Sequence, residues 1–390
     1  MEKEIKPLTT LRLIAALLVF AYHGNFYNIF MYHYTAQYFW QSIPIEGFIG
    51  VSMFFTLSGF LITLRYYDAF TQGGLRFKSY FIKRAARIYP SYYFLLPIAI
   101  AFPVATAVTL QHSIVNLTLT QGFFADLRFS GVSTAWSLTV EESFYFVAPV
   151  IFFSIFYALR RFRWPAIPVL LSVWTIGLLI FGYIISDVSR NTGLMQIGGF
   201  MHDLDSTLFG SFFCFAVGMG CAFAYMSGRI TKLWEHPRGP ALATGICLIG
   251  IAGLIGIEQA LNQTFGQPIA FYLNEAIGIP TGLMILALTC EKSIISRVMS
   301  WNILVYGGRI SFMLYVLQGT AIPKALYNEI GLAVGVTNPI HFPLVYLAAS
   351  IISAILYEIV EKPGRRIVLG LTRPRSTERT NLMTTPDGQS

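Results

Sequence analysis

The feature that most limits what this chain can fold into is a succession of apolar runs, each about 20 residues long, separated by short basic segments. A helix needs about 20 predominantly apolar residues to cross the hydrocarbon core, where only internally hydrogen-bonded backbone is tolerated. Windows of about 19 residues place such helices near 9–27, 46–65, 88–110, 138–159, 166–186, 207–227, 240–258, 268–290, 303–323 and 341–360. Composition agrees, because 55% of the 390 residues are hydrophobic and only 12% are charged, against about a quarter charged in a soluble domain. The expectation is an all-α, polytopic membrane bundle of about ten transmembrane helices. Residues 1–367 form the membrane-embedded domain in this reading, and 368–390 a basic, disordered cytoplasmic tail.

The net charge of +8 raises the question of a nucleic-acid partner. Lys3 and Lys6, the stretch from Arg65 to Arg87, Arg160 to Arg163, Arg229 to Arg238, Lys292 with Arg297, and the tail from Lys362 to Arg379 fall on one side of the predicted bundle. The other side has only Arg128, Arg190 and Lys324. This is the positive-inside pattern, which puts both termini in the cytoplasm and accounts for the charge without nucleic acid. The first run follows Lys3 and Lys6 as a signal peptide would, but it lacks a small-residue cleavage site and carries Arg12 and His23, so it belongs in the mature protein. Cys214, Cys221, Cys247 and Cys290 have no CxxC spacing and read as structural thiols. Arg76 to Arg87 alternates aromatic and basic residues, as an amphipathic helix on the cytoplasmic face would. Two outer segments, Tyr27 to Ile45 and Gln111 to Ser137, exceed simple turns, and the second is polar enough to cap a cavity. No internal repeat is found.

Ionisable side chains inside a membrane helix are costly and therefore point to function. Arg12 and His23 are eleven residues apart, which returns them to one helix face about 16 Å apart along the axis. Arg12 could snorkel to headgroups and His23 could simply bond a neighbouring helix. Histidine is also the side chain best suited to take a proton from a hydroxyl near neutral pH. Arg84 and Arg87 are one turn apart and suit an anionic ligand, although positive-inside charge alone would put cations there. Glu141 and Glu142, at the outer entrance to the fourth predicted helix, satisfy its dipole, and a carboxylate at that level could also orient His23. Glycines and serines from Gly47 to Phe60, including Ser58, allow close helix packing. Glu358 and Glu361 are expected to cap the inner end of the last helix, with a role at a cytoplasmic ligand as the lesser reading. The remaining histidines, His33, His112, His202, His236 and His341, lack ligand-like spacing, so no metal is expected.

Taken together these motifs resemble the acyltransferase-3 family of membrane acyltransferases, which includes bacterial O-antigen, exopolysaccharide and Nod-factor O-acetyltransferases. The resemblance rests on Arg12 and His23, on Gly50 to Ile62, on Arg84 and Arg87 followed by Ile88-Tyr89-Pro90, and on Trp136-Ser137-Leu138 with Glu141. Gly308 to Tyr315 and Glu361-Lys362-Pro363 complete it, so that it runs from about residue 8 to 367. Ser52 and Gln318 depart from the Asp and His that many members have there.

The resemblance implies a bacterial inner-membrane protein that takes acyl-coenzyme A, usually acetyl, from the cytoplasm and transfers the acyl group to a hydroxyl of a carbohydrate or glycolipid. Arg12, Arg84 and Arg87 would bind the donor, His23 would be the general base and Glu141 its partner. Trp136, Ser137, Glu142, Tyr145 and Ser58 would support the site. Acetyl-coenzyme A is then a substrate, with no permanently bound cofactor, and membrane lipids and a second copy of the chain are the other expected partners. No esterase-like extension is recognised, so transfer to the final acceptor is expected in this domain or through a partner. The competing classes are a transporter or flippase for a lipid-linked sugar, which would show inverted repeats, and an acyl-sensing scaffold that has lost catalysis.

Overall fold

The computed structural model describes residues 4–23, 47–72, 77–104, 109–162, 166–192, 204–228, 239–265, 275–290, 293–335 and 340–370. Among these, every regular element is helical. In chain order they are α1 (Lys6–His23), α2 (Ile49–Thr71), α3 (Phe77–Ala101), α4 (Leu110–Leu117), α5 (Trp136–Arg161), α6 (Ala166–Thr192) and α7 (Leu208–Met226). There follow α8 (Gly239–Phe265), α9 (Gly278–Leu288), α10 (Ile294–Val298), α11 (Asn302–Leu317), α12 (Ile322–Val334) and α13 (His341–Leu356). A π turn at Tyr357–Glu361 joins α13 to α14 (Lys362–Gly370). Six described helices are long and apolar enough to cross a membrane: 49–71, 136–161, 166–189, 208–226, 239–257 and the continuous 341–370.

The centre of the bundle is α2, whose apolar window is 78% buried. It packs most extensively on α7 and also touches α1, α5 and α9. The α2–α7 crossing is tight because a methyl on Gly59 would overlap the Phe215 carbonyl, and one on Gly218 the Thr56 carbonyl. Phe55, Phe215 and Phe144 stack through this crossing, with centroids 4.8 and 4.2 Å apart, and bring α5 into the same core. By contrast α6 and α8 bury only 17% and 22% of their windows and form the rim. On α6, Val169, Val173, Ile176, Ile180 and Ile184 make one exposed apolar stripe, a surface that belongs against lipid tails.

Several expectations need correction. Arg65 is not in a loop, because α2 runs on to Thr71, held by the buried Tyr66, Tyr67 and Phe70. The amphipathic stretch before residue 88 and the third predicted helix are one continuous helix, α3, which ends at Ala101 rather than near 110. Arg84 and Arg87 are therefore inside a helix rather than at its mouth. The run predicted for 303–323 breaks at Gln318-Gly319-Thr320, where the Gly319 carbonyl accepts a 2.9 Å bond from the Ser133 amide, and α12 begins beyond it. Of the run predicted for 268–290, α9 accounts for Gly278–Leu288, and residues 268–274 lie outside the described residues. The last helix does not stop at 360, so Glu361 does not cap it but is buried within it. The aromatic stretch 27–45 and residues 371–390 of the tail lie outside the described residues.

Candidate functional site

Helix α1 carries two sites, one towards each end. Around Arg12, side chains from α2, α3 and α5 converge. On α5, Glu141 accepts hydrogen bonds from Ser58 Oγ of α2 at 2.7 Å and from the Tyr145 hydroxyl one turn further on. The Tyr80 hydroxyl donates to the Tyr145 backbone carbonyl at 3.0 Å. Arg84 donates to the Tyr66 hydroxyl at 2.8 Å, with its guanidinium 5.0 Å from the centre of the Tyr66 ring and 5.4 Å from that of Tyr145. Hydrogen bond and cation–π contact together fix the Arg84 plane, which a lysine could not reproduce.

Arg12 and Arg87 are set differently. Each lies within electrostatic reach of the other, of Arg84 or Tyr145, and of a carboxylate, Glu141 for Arg12 and Glu361 for Arg87. Among the described residues neither makes a hydrogen bond or a close ion pair. Glu361 Oε2 accepts from Ser91 of α3 at 3.1 Å and also faces Arg365. Glu142, about 100° further round α5 than Glu141, bonds Tyr89. Even with all three carboxylates ionised, the cluster of Arg12, Arg84, Arg87 and Arg365 keeps one positive charge uncompensated. Two free, largely buried guanidiniums with surplus positive charge describe a site for an anion, phosphate above all.

The second site surrounds His23. Its Nδ1 lies 2.9 Å from the Val19 carbonyl. A carbonyl can only accept, so the proton of the neutral ring is on Nδ1 and the lone pair on Nε2. The ring lines a cavity of about 160 Å³, together with Phe20, Ser133, Gln318, Thr320, Lys324 and Tyr327. The wall opposite α1 is built by the α11–α12 break. There Thr134 Oγ1 donates to the Tyr315 carbonyl at 3.1 Å, and Ser137 Oγ shares a 2.6 Å hydrogen bond with the Tyr315 hydroxyl.

Of the residues expected to act together, the structure gathers Arg12, Arg84, Arg87, Glu141, Tyr145 and Ser58 into one cluster. Ser137 instead braces the wall of the second site, and Trp136 packs partly buried against the core. His23 and Glu141 are not in hydrogen-bond contact, since Nδ1 is taken by Val19 and the carboxylate by Ser58 and Tyr145. Sequence reasoning missed Tyr66, Tyr80, Ser91 and Tyr315 as partners, and Ser133 and Lys324 as cavity residues. None carries a local signal, because each is recruited by a helix distant in sequence.

A family model for an acyltransferase domain matches residues 6–358. A Bacillus subtilis (strain 168) protein provisionally named a peptidoglycan O-acetyltransferase is 24% identical over 393 residues, which cover 93% of this chain and 55% of that protein. A peptidoglycan O-acetyltransferase of Listeria monocytogenes is 27% identical over 193 residues, covering 45% of this chain and 28% of its own length. A Staphylococcus aureus (strain COL) protein provisionally named an O-acetyltransferase is 29% identical over 182 residues, 42% of this chain and 29% of that protein. The chain thus spans about half the length of the first of these relatives and less of the others. No solved structure matches it.

Proposed function

The chain belongs to the acyltransferase-3 family, and from that premise we propose that it is an integral membrane O-acyltransferase of the bacterial cytoplasmic membrane. In this reading about ten helices cross the bilayer and both termini are cytoplasmic. It moves an acyl group, acetyl by preference, from cytoplasmic acyl-coenzyme A to a hydroxyl of a carbohydrate or glycoconjugate, peptidoglycan being the acceptor named for two of the relatives. The observation that carries the reading is the presence on α1 of an anion site at Arg12 and a base with a free lone pair at His23, about 16 Å apart along the axis. Coenzyme A is itself divided in this way, with phosphates at one end and the thioester at the end of a long flexible arm.

Arg12 and Arg87 bind the phosphates, and Arg84, locked by Tyr66 and Tyr145, supplies a fixed positive charge beside them. Nε2 of His23 takes the proton of the acceptor hydroxyl as its oxygen attacks the thioester carbonyl. The new carbon–oxygen bond replaces the carbon–sulfur bond, and the proton held on His23 passes to the departing thiolate. Val19 holds the ring in the required tautomer, the part that a carboxylate plays in a catalytic triad.

The reading is tested with purified protein in nanodiscs supplied with radiolabelled acetyl-coenzyme A. His23→Ala is expected to lower label transfer by about 10²–10⁴-fold, the usual worth of a general base, with donor binding unchanged. Arg87→Ala is expected to raise KM for the donor by about tenfold or more, the loss of one charge-assisted phosphate contact. A wild-type protein that neither binds nor consumes acetyl-coenzyme A or longer acyl donors would overturn it.

A further inference from the structure

The cavity at His23 holds two groups that the transfer chemistry does not use. Gln318 is 6% exposed, and both its Nε2 and its Oε1 lack a hydrogen-bond partner among the described residues. A buried amide with neither its donors nor its acceptor engaged is uncommon and calls for a ligand. The backbone that carries it is fixed, because the Gln318 backbone N–H donates to the Leu314 carbonyl at 3.1 Å and the Gly319 carbonyl accepts from the Ser133 backbone amide. An amide that must both donate and accept matches a sugar hydroxyl or an acetamido group.

Lys324 stands at the rim of the same cavity, in the first turn of α12. Among the described residues it makes no ion pair, and no carboxylate lines the cavity. By the topology read from the sequence Lys324 is one of three outer cations, and the guanidinium of Arg128, another of them, lies 4.6 Å from the centre of the Phe129 ring. An unpaired ammonium at the mouth of a pocket without acids attracts anions.

We propose that this cavity is the acceptor subsite and that it selects a sugar whose reactive hydroxyl lies beside an anionic substituent, a carboxylate or a phosphate. Gln318 reads the neutral polar edge of the sugar and Lys324 the anion, while His23 faces the hydroxyl. The inference rests on the reading of His23 as the base, and it adds the charge of the acceptor.

The test is calorimetric titration of the full chain in nanodiscs, without donor, using chitobiose, the same disaccharide bearing a lactyl ether carboxylate, and the same disaccharide bearing a 1-phosphate. At least one anionic sugar is expected to bind about tenfold more tightly than the neutral one, the scale of a single ionic contact, and whichever does identifies the anion. Lys324→Gln should remove the preference and Lys324→Arg should keep it. Gln318→Leu should weaken every binding sugar by a similar factor. Equal binding of all three sugars, binding of none, or a preference that survives Lys324→Gln would overturn the proposal. Because no donor is present, selective binding without acetyl transfer would defeat the acyltransferase reading alone, and acetyl transfer without selective binding would defeat this one alone.

Discussion

Glu141 illustrates how much a single side chain can depend on contacts remote in sequence. Its Oε1 accepts from Ser58, 83 residues away, and from Tyr145, one turn away. Removing the nearer donor in Tyr145→Phe leaves the carboxylate with one bond, and bonds to charged groups are worth about 1.5–3 kcal/mol. Tyr145→Phe is therefore expected to lower unfolding stability by roughly that amount, measured by thermal or denaturant unfolding in detergent. An unchanged midpoint would show that the bond adds nothing. Glu4, ahead of α1, gives a contrasting case at the surface. Its 2.7 Å hydrogen-bonded pair with Arg309 lowers its pKa below the ordinary carboxylate value. A depressed carboxylate stabilises the fold above its unfolded pKa and loses that contribution as the pH falls through its folded one. The pair is half exposed, so the effect is small. The stability difference between wild type and Glu4→Gln should be present at neutral pH and vanish in acid. At this scale Arg12 and His23 stand out in the sequence as ionisable groups in an apolar run, whereas Arg84 and Arg87 sit in a basic stretch that membrane topology alone would explain and are singled out by their spacing. The sequence did not show their partners, since Tyr66, Ser91 and Tyr315 are ordinary residues until two helices meet.

Among the elements, the α2–α7 crossing is the tightest joint and the most exposed to damage. A side chain at Gly218 would meet the backbone of Thr56 and Phe60, neither of which can give way without parting the helices. Gly218→Leu is expected to abolish the folded state, seen as loss of the monodisperse peak in size-exclusion chromatography. Leucine at Gly177 on α6, where an added Cβ meets nothing within 4 Å, should be tolerated. Hydropathy found the starts of the rim helices α6 and α8 to within a residue because their exposed faces are apolar, but stopped six and seven residues short of their ends. It divided α3 because the first half, from Phe77 to Arg87, carries Lys78, Lys83, Arg84 and Arg87, which lower a window average, so that this half reads as a separate amphipathic helix although it is continuous with the apolar half. It joined α11 to α12 for the opposite reason. Gln318-Gly319-Thr320 is too short to depress the average, yet it is where the chain leaves the helix to wall the His23 cavity.

For the molecule as a whole, the arrangement sets different chemistry at the two ends of α1, a positively charged cluster towards Lys6 and the cavity lined by His23. If the cluster faces the cytoplasm, the two ends are open to different compartments. In a chain whose four native cysteines are replaced by serine, Lys324→Cys should react with an impermeant maleimide added outside intact cells. Glu4→Cys should react only after the membrane is opened. The reverse pattern would invert the proposed orientation. The class of the molecule could be read from its apolar runs, and its family from the order of its motifs. The separation of Glu141 from His23 could not, because it depends on how far each helix slides along its neighbours.

The π turn at Tyr357–Glu361 bears on how such a chain can change length over time. A π turn holds one residue more than an α turn, and here it leaves Glu361 buried against Ser91 and Gly364 against Pro90. Deleting one residue between Tyr357 and Val360 would let the segment close into regular helix with everything after it facing nearly the same way, because the π turn already stores the residue that is lost; a second deletion would turn everything after it by about 100°. With that second deletion the apolar profile of the span would hardly change, yet Glu361 would lose Ser91 and Arg87 would lose its acidic neighbour. At this one joint the chain can lose one residue and keep its register, whereas a further deletion that looks as harmless in an alignment would remove one wall of the proposed donor site.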